Sequence, residues 1–222
     1  MTPLVGALLV IAAAAAVVDW VVIALDRPGT PAIERVAKPA ALLALLAAAL
    51  AWPVGAGDAA VRPLLLAALA ASLAGDVLLL GSGRFVPGLV AFLIAHLAYV
   101  VAFTRLPASV PWVVVGAIVA AVVVATVGRV LVRAARRVGL AARVGAYLVV
   151  ICAMAIAATR TGLPAAILGA WLFVASDAML AWGRFGRPAA ASGTAKGPAR
   201  LRVAVMVTYH LGQALLALAL LA

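Results

Sequence analysis

The chain has 222 residues, 68% of them hydrophobic and 10% charged, with a net charge of +11. So few polar side chains cannot cover a soluble globule of this length, so lipid must solvate most of the surface. The basic residues are spread among short connectors without any RNA- or DNA-reading motif, which argues against a nucleic-acid partner.

In chain order, apolar stretches run over 4–25, 36–52, 63–81, 85–104, 110–128, 144–159, 163–182 and 203–222. Several reach the roughly 20 residues that cross about 30 Å of hydrocarbon. Backbone groups in lipid must be satisfied internally and no long alternating pattern suggests a barrel, so the expected fold is all-α, a single integral membrane domain over 1–222 with eight transmembrane helices. The first span lacks a basic n-region and exceeds the usual signal h-region, so it reads as a retained helix. Cys152, the one cysteine, lies in an apolar run and reads as a structural thiol. The Gly-, Pro-, Ala- and Ser-rich stretch 186–199 reads as a flexible linker.

Of the 17 Lys and Arg residues, all but Arg62, Arg105 and Arg160 fall in the odd-numbered connectors. That asymmetry predicts odd connectors in the cytoplasm and both termini outside, as expected of a protein in a bacterial inner membrane.

Two aspartates stand in matching contexts. Ser72-Leu73-Ala74-Gly75-Asp76 leads to Gly83-Arg84-Phe85, and Ser176-Asp177 leads to Gly183-Arg184-Phe185. Each segment is followed by an apolar run with a lone histidine, His96 or His210. Ionisable groups within membrane spans are rare and usually functional. The connector Glu34-Arg35-Val36-Ala37-Lys38 also pairs with Arg136-Arg137-Val138-Gly139. Together these suggest two four-helix repeats, 1–105 and 106–222, related by an axis along the membrane normal.

At about 1.5 Å per residue, Asp76 and Asp177 lie roughly 9 Å inside the basic ends of their spans, His210 about 10 Å and His96 about 16 Å. Lys38 stands at the entrance to the second span. Tyr99 lies one turn from His96, and Tyr209 precedes His210. Simpler roles stand beside these. Either histidine can be an interhelical hydrogen bond, and Ser72, Ser176, Thr208 and Gln213 can be helix-packing groups. Asp19, beside Trp20, reads as snorkelling to the interface, outside the core site. Trp52, Trp112, Trp171 and Trp182 read as interfacial anchors.

Lys38-Pro39, Ser72-x-x-Gly75-Asp76, Gly88-Leu89-x-x-Phe92-x-x-x-His96-x-x-Tyr99, Ser176-Asp177 and Tyr209-His210, in that order, resemble the YhhN family of integral membrane lysoplasmalogenases. The resemblance implies hydrolysis of the vinyl ether bond of a lysophospholipid to a fatty aldehyde and a glycerophospho-base. It also implies that Asp76 and Asp177 are the catalytic pair. Two carboxylates in different protonation states suit that chemistry, much as a glycosidase handles an oxocarbenium ion. Lys38, Ser72, His96, Tyr99, Ser176, Tyr209 and His210 would support the pair, and Lys38, Arg84 or Arg184 would meet the phosphate. No cofactor and no metal are expected, and the partners are the lysolipid and the surrounding membrane lipids. Two other readings use the same residues: a metal hydrolase with His96, His210, Asp76 and Asp177 as ligands, and a proton-coupled transporter.

The charge asymmetry carries its own test. Reporter fusions at the C-terminus and within 186–199 are expected to report opposite sides of the membrane. A cytoplasmic C-terminus contradicts the assignment.

Overall fold

Peptide groups in hydrocarbon have no water to bond, and the described residues meet that demand with eight helices. The computed structural model describes residues 2–27, 30–53, 55, 60–186 and 198–221, so most of the 186–199 linker lies outside the described residues. The helices are α1 (Pro3–Leu25), α2 (Thr30–Ala51), α3 (Arg62–Leu79), α4 (Phe85–Thr104), α5 (Val110–Arg136), α6 (Ala141–Thr159), α7 (Pro164–Phe185) and α8 (Ala199–Leu221). No strand occurs among the described residues. All but α2 are long and apolar enough to cross a membrane. This is a polytopic membrane protein.

Local chemistry sets several helix ends. Pro3, Pro63, Pro111 and Pro164 stand in first turns, where the missing N–H costs nothing. Thr2 Oγ1 accepts from the Val5 amide at 3.3 Å and caps α1. Glycines with positive φ, Gly83, Gly139 and Gly162, carry the turns after α3, α5 and α6.

Five helices extend past their apolar runs. Helix α2 starts at Thr30 and not near 36, α5 runs to Arg136 and not 128, α6 begins at Ala141 and not 144, α7 runs to Phe185 and not 182, and α8 begins at Ala199 and not 203. Glu34, Arg35, Lys38, Arg129, Arg133, Arg136, Arg143, Arg184, Arg200 and Arg202 therefore lie on helices, not in connectors. Lys, Arg and Glu are strong helix formers, and their long stems let the charge leave the apolar layer while the backbone continues. Lys38 thus sits about two turns inside α2, beyond the entrance that the apolar run indicated.

Helix α1 packs on α2, α3 on α4, and α7 on α8. Helix α8 also touches α1, α2 and α3, and α6 joins α4 to α5 and α7. Only 11% of the apolar window of α5 is buried, against 50% for α8, so α5 is peripheral and α8 central. Helix α5 also contains one wider π turn, Val124–Gly128. At the end of the bundle where α1, α3, α5 and α7 finish, called here the basic end, Arg202 on α8 binds Asp26 at 3.1 Å and Glu34 at 2.8 Å. Trp171, expected as an interfacial anchor, donates to Thr159 Oγ1 at 3.1 Å and joins α7 to α6.

Glycine permits the close helix crossings. A Cβ on Gly169 would lie 3.1 Å from the Gly212 carbonyl, and one on Gly212 would lie 3.0 Å from the Gly169 carbonyl, so α7 and α8 touch backbone to backbone. Gly75 similarly admits the Phe92 ring, which would stand 2.6 Å from an added Cβ. Gly212→Val is expected to destabilise the bundle by about 1–3 kcal/mol through overpacking, read as a lower melting temperature in detergent. Gly145→Ala, where a Cβ meets nothing within 4 Å, is expected to leave it unchanged or higher.

Candidate active site

Asp76 lies one turn from the end of α3, with 1% of its side chain exposed. A carboxylate there needs polar partners brought by other helices. Lys38 of α2 places Nζ 3.2 Å from Oδ1, and Tyr209 of α8 donates its hydroxyl to Oδ2 at 2.8 Å. Pro39 follows Lys38 and cannot donate a backbone bond to the Arg35 carbonyl, which loosens the helix ladder just where the lysine turns inward. Ser72, one turn back on α3, is fully buried and has no hydrogen-bond partner among the described residues.

Asp177 on α7 has a different environment. The Tyr147 hydroxyl, from α6, donates to Oδ2, and His96 of α4 places Nε2 4.0 Å from the same oxygen, outside hydrogen-bonding range. No lysine or arginine lies within ion-pairing distance of Asp177 among the described residues. Phe173 spans the two aspartate environments. Its ring centroid is 4.7 Å from that of His96 and 5.4 Å from that of Tyr209. Phe92 packs edge-on against both Phe173 and Tyr209.

A pocket of about 720 Å³, open mouth included, runs between α4, α5, α6 and α7. Its walls include Leu89, Phe92, Val127, Leu148, Ile151 and Val174, and among the described residues the only ionisable side chains lining it are Asp177 and Tyr147. An apolar pocket with a few convergent polar groups is the usual form of a small-molecule site.

The remaining candidates divide. Tyr99 does not reach an aspartate; its hydroxyl donates to Gln213 Oε1 at 2.7 Å. His210 accepts from Trp20 Nε1 at its Nδ1, 3.0 Å away, so it faces α1 and not the pocket. With α8 starting at Ala199, His210 stands eleven residues into its helix, just as His96 does in α4, so both lie about 16 Å from the helix start and the expected shallower layer for His210 is corrected. Ser176 donates to the Val205 carbonyl at 2.9 Å and binds α7 to α8. Arg84 and Arg184 are exposed at the basic end, with the Arg184 guanidinium 5.4 Å from the Phe85 ring centroid. Among the described residues no three His, Cys, Asp or Glu side chains form a group suited to a metal ion, so the two histidines and two aspartates do not converge as one ligand set.

Two groups escape the sequence reading. Asp19 is fully buried with neither oxygen hydrogen-bonded among the described residues, and it lies within electrostatic reach of Lys38 and Asp76. A short aspartate six residues from the end of α1 does not reach the interface, so snorkelling fails. Tyr147 was signalled only by being a lone hydroxyl in an apolar span.

Fold and site together define a helical integral membrane protein with one buried and one partly buried aspartate, each accepting a tyrosine hydroxyl from another helix. The chain belongs to the YhhN family, whose sequence profile matches residues 33–220. No curated protein and no solved structure matches it.

The buried ion pair gives a stability test. Lys38→Met strands the Asp76 carboxylate and is expected to cost about 3–5 kcal/mol, seen as a lower melting temperature. Lys38→Met combined with Asp76→Asn is expected to recover much of that loss.

Proposed function

We propose that the protein is a lysoplasmalogenase-type hydrolase, cleaving the vinyl ether of a single-chain phospholipid to a fatty aldehyde and a glycerophospho-base. The observation that carries this reading is the unequal environment of the two aspartates: Asp76 ion-paired with Lys38, and Asp177 facing an apolar pocket without a cation. Vinyl ether hydrolysis needs one group that gives a proton to carbon and another that takes one from water, and these environments divide the tasks.

In this reading Asp177 is the acid. Its proton goes to the vinyl carbon remote from oxygen, the double-bond electrons form the new C–H bond, and the positive charge is shared by the other carbon and the ether oxygen. Water adds to that carbon and gives its proton to Asp76, with Lys38 fixing the carboxylate toward the site. The hemiacetal then collapses. Asp76 returns its proton to the glycerol oxygen as the C–O bond breaks, and Asp177 takes the hemiacetal hydroxyl proton as the aldehyde forms. Both carboxyl groups end as they began, and one water is consumed. Tyr147 and Tyr209 hold the two carboxylates by hydrogen bonds and are positioning residues.

Placed in a bacterial inner membrane with both termini outside, the basic end faces the cytoplasm. A lysolipid of the inner leaflet would then bring its headgroup to the arginines and its ether bond to the depth of the aspartates.

The test is aldehyde release by purified protein in detergent, with the saturated ether analogue as a substrate that binds and survives. Asp76→Asn and Asp177→Asn are each expected to lower turnover by at least about 100-fold while the protein stays folded, since general acid–base groups contribute on that order. Near-wild-type turnover in either variant overturns the assigned pair. Absence of aldehyde together with proton-coupled uptake into vesicles replaces the hydrolase by a transporter.

A further inference from the structure

The pocket has an unusual boundary. Helices α4 and α5 follow each other in sequence and both line it, yet α5 packs on α6 and α7 without an extended seam against α4. Val127 both lines the pocket and keeps 42% of its surface exposed, which makes it a rim residue toward lipid. It lies in the π turn of α5, a distortion that re-aims side chains and recurs at functional positions. At the basic end the pocket reaches Phe85 and Phe185, and Arg184 stands over the Phe85 ring.

Register places the reacting group within this slot. Asp177 is seven residues from Arg184, about 10 Å along α7, whereas the innermost lining residue of that helix, Val174, is only one turn beyond Asp177. An ether bond at Asp177 with an anionic headgroup at Arg184 therefore leaves about one helical turn of pocket for the tail, far short of a fatty chain. Val127 is the exposed member of the lining, so an apolar continuation runs sideways past it into the bilayer.

We infer that the pocket binds a single-chain lipid with its headgroup phosphate at Arg184 and its tail leaving between α4 and α5 into surrounding lipid, so that Val127 is a specificity-determining residue. This rests on the hydrolase reading for the reaction, but the binding geometry is separable from it. Because the tail ends in lipid, long chains differing in length are handled alike. A bulky residue at the rim closes the exit to long tails and leaves room for short ones.

The experiment compares wild type, Val127→Trp and Ile118→Trp in lipid nanodiscs. Ile118 is also on α5 and 59% exposed, but it does not line the pocket. Two readouts are taken: kcat/KM for short- and long-chain vinyl ether lysophospholipids, and equilibrium binding of a long-chain saturated ether lysophospholipid. Val127→Trp is expected to lose about tenfold on the long-chain substrate and analogue, with little loss on the short chain, while Ile118→Trp matches wild type. If Val127→Trp fails to fold, Gly128→Ala serves. Its Cβ would stand 2.5 Å from Leu148 Cδ2 and push that pocket-lining side chain inward. Equal losses for short and long chains, no loss, or a sharp chain-length limit in the wild type overturns the inference. Rim-dependent analogue binding without any aldehyde keeps the lipid pocket and removes the hydrolase. Aldehyde release with no rim effect does the reverse.

Discussion

A carboxylate that stays ionised inside a lipid-solvated bundle has to bring its own counter-charge and hydrogen bonds, because neither water nor lipid supplies them. The Lys38–Asp76 pair meets that condition, and much of the architecture follows from it. Helix α2 gives up an uninterrupted apolar span to carry a lysine two turns inside its start. Helix α8 lies at the centre so that Tyr209 can reach the second oxygen of Asp76. The glycine contacts between α3 and α4, and between α7 and α8, bring the helices close enough for short polar side chains to meet.

The second aspartate shows how near-identical sequence contexts acquire different chemistry. Asp76 and Asp177 are each followed by Gly-Arg-Phe and each accept a tyrosine hydroxyl, yet one also meets an ammonium and the other an imidazole edge and an apolar pocket. Phe173 packs edge-on against both His96 and Tyr209, so the two surroundings share one aromatic wall. In the proposed hydrolase reading an acid and a base must differ, and neighbours on other helices would make that difference.

How much was legible in advance follows the same division. Hydropathy located all eight helices, because the bilayer imposes length and apolarity span by span. The aspartates stood out as costly residues in cheap surroundings, whereas Lys38 read only as a charge at the entrance to its span, and the order of Tyr209 and the other motif residues indicated one site. Helix ends were misplaced wherever Arg and Lys continued a helix, as in α2, α5 and α8. Asp19 and Tyr147 were missed for a different reason: which helix faces which is set by tertiary packing, and a single residue in an Ala- and Val-rich span carries no trace of its partner. The same limit applied to His210, whose contact with Trp20 crosses 190 residues of chain.

The central claim is that a carboxyl group protonates carbon. Turnover of a vinyl ether lysolipid in D2O, with the aldehyde reduced as it forms, measures this directly. The account predicts one deuterium on the carbon next to the former carbonyl in every product molecule. An aldehyde released without deuterium at that carbon would contradict it.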